Sequence, residues 1–217
     1  FNTMFFGAFY IYSLEATCFM CLFNSFIGDI WIGKEYLFGS GTVAIIVINN
    51  YLTGLRMPLI TMKGAAGKYL EDSWIPFAFA IINLVASILL AKRFGVAGVF
   101  LGTIVGSLFT ADWYRPIVIY RTVFHSSVRA YYKKYVLYLG LGCSYVVLTY
   151  WICKWVSIAN IYFEFLMRAV IAIGVPVILN LILFHQTKEF NSIIEIVKRL
   201  IKVTMAKGVH LRGKRHE

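Results

Sequence analysis

The chain has 217 residues, of which 60% are hydrophobic and 17% aromatic, with a mean hydropathy of +0.75. A soluble domain of this size could not hide that much apolar surface, because a folded chain still exposes much of itself, so the surrounding solvent is lipid. The net charge of +11, from 21 Lys and Arg against 10 Asp and Glu, falls between and after the apolar runs. That placement fits cytoplasmic loops facing anionic headgroups and argues against nucleic acid as a partner.

Six apolar segments reach the roughly 20 residues that a helix needs to cross about 30 Å of hydrocarbon. In chain order they run approximately over 3–27, 38–57, 74–92, 96–119, 134–153 and 162–185. No alternating pattern of the membrane-barrel kind is present, so the predicted fold class is all-α, a polytopic membrane helix bundle. The opening Phe1-Asn2-Thr3-Met4 carries no charged leader or cleavage site, and it reads as starting within a larger protein.

The basic residues set an orientation. One side collects Arg56, Lys63, Lys68, Arg115, Arg121, Arg129, Lys133, Lys134 and the eight Lys and Arg after position 185, sixteen in all. The other side has Lys34, Lys92, Arg93 and Lys154. Sixteen against four predicts that the first group, and with six spans both ends of the chain, is cytoplasmic. In the tail, Phe190, Ile193, Ile194, Val197, Leu200 and Ile201 share one face, which predicts an amphipathic helix on the membrane. Past Gly208 no regular structure is expected.

Ionisable groups inside spans cost about 2.5–3.5 kcal/mol on insertion scales, so they usually face a partner or a watery cavity. Glu15, Asp112, Arg115 and Arg168 are the candidates. Asp112 and Arg115 stand three apart, either as a self-neutralised pair or as functional groups, with Pro116 bending or restarting the helix beside them. Arg168 has Glu164 four residues earlier and is either its structural partner or pore-facing. Glu15 either pairs with a basic residue of another span or takes up a proton in a cavity. Asn49, Asn50 and Asn83 serve as interhelical glue or as cavity lining. Gly98, Gly102 and Gly106 recur every four residues and predict close packing against another span of the same chain. Cys18, Cys21, Cys143 and Cys153 lie in apolar segments and read as packing residues, and no zinc constellation is present. No hydrolase triad, paired-carboxylate site, phosphate loop or dinucleotide fingerprint occurs, and neither an enzyme nor a cofactor is expected.

The succession "FIGDIWIGKEYL" (26–37), "INNYLTGLRMPLITMKGAAGKYLED" (48–72), "AIINLVASILLAKRFGVAGVFLGTIVGSLFT" (80–110) and "WYRPIVIY" (113–120) resembles the C-terminal part of bacterial polysaccharide-unit transporters. These are the Wzx-type oligosaccharide flippases of the multidrug/oligosaccharidyl-lipid/polysaccharide exporter superfamily. The resemblance covers 26–120 by motif and the remainder by pattern. It implies the last six helices of a two-lobe transporter with about fourteen spans around a central cavity, in the bacterial cytoplasmic membrane. Residues 1–120 would supply four helices of the C-terminal lobe, 121–185 a cytoplasmic connector with two peripheral spans, and 186–217 the basic tail.

The implied substrate is an undecaprenyl-pyrophosphate-linked oligosaccharide, and the implied partners are membrane lipids and the N-terminal lobe that this chain lacks. Arg56 and Lys63, at the end of the second span and in the loop after it, would meet the pyrophosphate at the cytoplasmic interface, with Arg115 and Arg168 deeper. The alternative for Arg56 and Lys63 is topology alone, with "KGAAG" as a flexible connector. Glu15 and Asp112 are left for coupling or ion pairing. Two other functions stay open: a drug/cation antiporter of the same superfamily, which needs acidic residues in the cavity, and a membrane polymerase or acyltransferase. The last requires a large external loop bearing Arg or His, and the external loops here are short and hold no histidine.

Overall fold

The computed structural model describes the backbone of residues 1–213 and the side chains of residues 1–199, 202 and 203. Among these residues the chain is helix and connecting loop, without strands. The helices are α1 (Asn2–Ser25), α2 (Ser40–Ala65), α3 (Ile75–Phe94), α4 (Val96–Phe109), α5 (Ala111–Thr122), α6 (Arg129–Trp155), α7 (Ile161–Phe184) and α8 (Lys188–Gly213). A wider π-helical turn, Phe26–Trp31, extends α1, and α4 with α5 makes one broken span. Six spans are therefore long and apolar enough to cross a bilayer, as expected of a multi-pass membrane protein.

Residue chemistry explains where the elements start and stop. Asn160 caps α7 by accepting hydrogen bonds from the backbone N–H of Tyr162 (3.0 Å) and Phe163 (3.2 Å). Gly95 alone reverses the chain between α3 and α4 at φ +58° and ψ −134°, a backbone region essentially restricted to glycine. The fourth span breaks at Thr110, whose hydroxyl donates to the Gly106 carbonyl at 2.6 Å. The break thus falls six residues before Pro116, which lies inside α5, because the Thr110 backbone has left the helical region (φ −127°, ψ −85°) and α5 restarts after it.

α1 is the central helix, packed on α2, α6, α7 and the start of α8. Its Phe5, Phe6 and Phe9 are buried against Tyr131, Tyr138 and Tyr145, which recur every seven residues on one face of α6. Phe9 stacks on Tyr138 with ring centroids 4.5 Å apart, and Phe5 on Tyr131 at 5.2 Å. α2 joins this layer where Gly54 admits the Tyr12 ring and where the Tyr51 hydroxyl donates to the Tyr138 carbonyl at 2.6 Å. α3 packs mainly on α4, and only 6% of its most apolar stretch is buried, so most of its circumference is exposed.

The α3–α4 contact realises the glycine stripe. A methyl group on Gly98 would overlap the Leu90 carbonyl, and one on Gly102 would overlap the backbone of Ser87. The Ser87 hydroxyl fills the same gap, donating to the Val99 carbonyl at 3.2 Å.

The tail forms the helix expected, and its first turns are fastened to the bundle. Phe190 and Ile193 turn inward and pack on the α1–α6 core, and Lys134 of α6 holds Glu189 at 2.8 Å. Val197 is exposed, while the side chains of Leu200 and Ile201 lie outside the described residues. The helix continues past Gly208 to Gly213, and residues 214–217 lie outside the described part.

Gly102→Ala is expected to lower stability by roughly 1–3 kcal/mol, because the added methyl must push α3 and α4 apart. Gly140→Ala, where open space surrounds the position, is the neutral control, and thermal unfolding in detergent reads both. A second expectation concerns α8. The hydrogen bond from Lys134, foremost, holds the Glu189 carboxyl below its ordinary value. A carboxyl lowered on docking stabilises the docked helix above its unfolded value and loses that contribution as pH falls through the lowered one. Hydrogen-exchange protection of α8 should therefore fade below the ordinary carboxylate range. Glu189→Gln should reduce it at neutral pH by up to about five-fold, the scale of a partly exposed pair.

Candidate functional site

α2 carries a polar stripe along a membrane span. Asn49, Thr53, Arg56 and Lys63 follow one another at helical spacing on one side, over about 21 Å of helix axis. Internal hydrogen bonds order the stripe. The Thr53 hydroxyl donates to the Asn49 carbonyl at 2.9 Å, and Arg56 donates through Nη2 to the Thr53 hydroxyl (2.8 Å) and through Nε to the Leu52 carbonyl (3.2 Å).

Arg56 was expected at the end of its span and Lys63 in the following loop. Instead α2 runs on to Ala65, with Arg56 well inside the helix and Lys63 in its last turn. Burial of Leu55 and Leu59 carries the helix forward, and a lysine at its C-terminal end complements the helix dipole. The connector is accordingly shorter than "KGAAG" implied.

The acidic partners come from two other places. Arg56 Nη1 lies 3.2 Å from Asp112 Oδ1, with the two side chains 12% and 6% exposed. Lys63 pairs with Asp72 of the α2–α3 connector, and Arg115 Nε approaches the other oxygen of Asp72 at 3.2 Å. Of the two readings of Asp112 and Arg115, the mutual pair is not made. Asp72 is only 1% exposed, so its carboxylate requires compensation at depth, and Arg115 turns to it while Asp112 takes Arg56. Three cations thus meet two buried carboxylates, leaving one positive charge in excess.

Asp72 was overlooked as a site residue. Its signal was an acidic residue three positions before the buried Ile75, directly after a segment holding three cations. Both oxygens of Asp112 are buried without a hydrogen bond, so Arg56 neutralises that carboxylate without fully satisfying it.

At its other end the stripe runs into a cleft of about 460 Å³ between α1, α2 and α4. Glu15, Asn49, Asn50 and Thr53 supply its polar lining, with Phe19 and Phe100 among the apolar wall. Glu15 is exposed there and makes no ion pair among the described residues, and the Asn49 side-chain oxygen is buried without a partner. Asn83, by contrast, sits in the α3–α4 contact, with its side-chain oxygen 3.1 Å from the Ser87 hydroxyl oxygen.

Arg168 does not belong to this arrangement. It pairs with Glu164 and donates to the Ser25 hydroxyl (2.9 Å) and the Val156 carbonyl (3.1 Å), so it fastens α7 to the end of α1 and to the α6–α7 turn. Ser25 lies about 20 Å along α1 from Tyr12, the residue packed on Gly54 beside Arg56. Among the described residues no three His, Cys, Asp or Glu side chains converge as metal ligands.

No family model matches the chain, and no curated protein or solved structure compared with it does either.

The two-cation grip on Asp72 sets a stability expectation. Asp72→Asn leaves Lys63 and Arg115 without a counter-charge and should cost about 3–5 kcal/mol in chemical unfolding. Replacing both cations by Met alongside Asp72→Asn should recover most of that loss. An Asp72→Asn variant as stable as the parent would show that the carboxylate is not holding α5 to the end of α2.

Proposed function

We propose that this chain is the C-terminal six-helix part of a bacterial transporter that moves a lipid-linked oligosaccharide across the cytoplasmic membrane. It belongs, on this reading, with the Wzx-type flippases that its motifs resemble. The observation that carries the proposal is the polar stripe of α2 inside a membrane span, cationic at one end and rich in amides and hydroxyls at the other. An amphiphile with an anionic headgroup needs such a path, because its charged and sugar portions cannot enter hydrocarbon unpaired while its tail stays in lipid.

The roles follow from the chemistry of the side chains. Arg56, Lys63 and Arg115 would draw a pyrophosphate away from water, and that group would compete with Asp112 and Asp72 for the same donors. Since those carboxylates neutralise the cations when no cargo is bound, cargo binding exchanges one set of ion pairs for another. Asn49, Asn50, Thr53 and Glu15 can donate to and accept from sugar hydroxyls. Arg168, already bonded to three partners, is assigned to holding the helix ends. The sixteen-to-four distribution of basic residues supports a cytoplasmic position for the cationic end of the stripe, where such cargo would be loaded, and for the C-terminus. The missing lobe would close over the stripe, and rocking of the two lobes would open it to either side without covalent chemistry.

Glu15 favours a second reading. A carboxylate at the depth of a span, in a cleft and without an ionic partner among the described residues, is what a drug/cation antiporter would use.

The test uses the full-length protein in cells where its gene can be shut off. Lipid-linked repeat units in the cytoplasmic leaflet are expected to accumulate on shut-off and to clear with the wild type. Arg56→Ala/Arg115→Ala, confirmed as stably inserted, should clear them at least about ten-fold more slowly, the effect of losing one charge-assisted hydrogen bond. Unchanged lipid-linked sugar together with altered sensitivity to cationic drugs would transfer the assignment to the antiporter.

A further inference from the structure

Three of the four cysteines meet in one place. Cys18 and Cys21 stand one turn apart on α1, and Cys153, 132 positions after Cys21, arrives from the last turn of α6. Cys21 and Cys153 are buried in one cluster, and Cys18 packs against it while half-buried. Ala172 of α7, fully buried, completes the cluster. All four cysteines are free thiols.

A cation stands beside this group. Cys153 Sγ lies 3.8 Å from the Arg168 carbonyl, and the guanidinium of the same residue reaches Ser25 and the Val156 carbonyl at the ends of α1 and α6. Ser25, the Val156 carbonyl and Glu164 occupy two guanidinium nitrogens, but Nε is buried without an acceptor. The thiolate is the nucleophile in disulfide exchange.

We propose that Cys21 and Cys153 form a reversible disulfide that staples α1 to α6, with Cys18 as the thiol through which oxidation enters. The oxidant is a disulfide R–S–S–R of low molecular weight. The Cys18 thiolate attacks one of its sulfurs, forming Cys18–S–S–R and releasing the first R–S⁻, which takes up a proton. Cys153 then attacks the Cys18 sulfur and releases the second R–SH. Cys21 attacks Cys153 in turn, giving Cys21–S–S–Cys153 and returning Cys18 as a thiol. Two protein thiols have lost two hydrogens and two electrons, and R–S–S–R has gained them as two R–SH.

Cys-x-x-Cys on a helix gives no hint of this, since the lasting partner of Cys21 is on another helix. The linkage would join α1 to α6 at the end where Arg168 already binds α7 to both. On the topology proposed above this end is extracytoplasmic, where disulfides persist, and only that sidedness rests on the functional reading.

The experiment treats the full-length protein in intact cells with oxidised glutathione, which does not cross the membrane. Free thiols are then alkylated, and digested peptides are read by mass spectrometry with and without reductant. The expected product is a Cys21 peptide joined to a Cys153 peptide, two hydrogens lighter than the pair. It should vanish in Cys21→Ser and in Cys153→Ser, form several-fold more slowly in Cys18→Ser, and be unaffected by Cys143→Ser. Linkage in inverted vesicles alone would keep the staple and overturn its sidedness. Full alkylation of Cys21 and Cys153 from both sides, or a glutathione adduct on Cys18 that never resolves, would overturn the proposal.

Discussion

Asp72 is a carboxylate almost without solvent, held between Lys63 at the end of α2 and Arg115 in α5. An unpaired charge there would be expelled or neutralised, so the connector carrying Asp72 can sit where it does only while both cations reach it. That requirement fixes the end of α2, the start of α3 and the placement of α5 together. Arg115 is thereby taken from Asp112, which turns to Arg56 and draws that arginine across from the middle of α2. The cationic end of the stripe is thus a consequence of one buried acid.

Helices in lipid gain little from leaving a solvent as apolar as themselves, so their association depends on close fit and on polar contacts. This chain uses both. Gly98 and Gly102 bring α4 against the backbone of α3, while Gly54 and Gly142 make room for Tyr12 and Tyr51. The Tyr51 hydroxyl then finds the Tyr138 carbonyl, satisfying a polar group that would otherwise be stranded at depth. Around α1 the aromatic rings of α1 and α6 interlock, whereas α3 leaves most of its surface exposed.

The two ends of the bundle differ in the state of their charges. At the Arg56–Lys63 end, three cations share two buried carboxylates. At the Arg168 end, one arginine is bound by a carboxylate, a hydroxyl and a carbonyl from three elements. A cation with several fixed partners holds structure, and cations that outnumber their partners leave room for an anion.

The six spans were legible from the amino acids because a run of apolar residues long enough to cross lipid has no other stable home, and helices satisfy their own backbone. The glycine spacing of α4 likewise announced a close helix contact, since the four-residue repeat places all three on one face. Which residues pair across the bundle was not legible. Asp112 and Arg115 stand three apart, close enough to neutralise each other, yet their partners are Arg56 and Asp72, because ion pairing is decided by depth and reach in space. The gathering of Cys153 with Cys18 and Cys21, and the inward turn of Phe190 and Ile193 in α8, were invisible for the same reason. Composition and periodicity determine that this chain lies in a membrane as helices. Only the packing of α1 against α2, α6 and α7 decides which of its few polar groups meet.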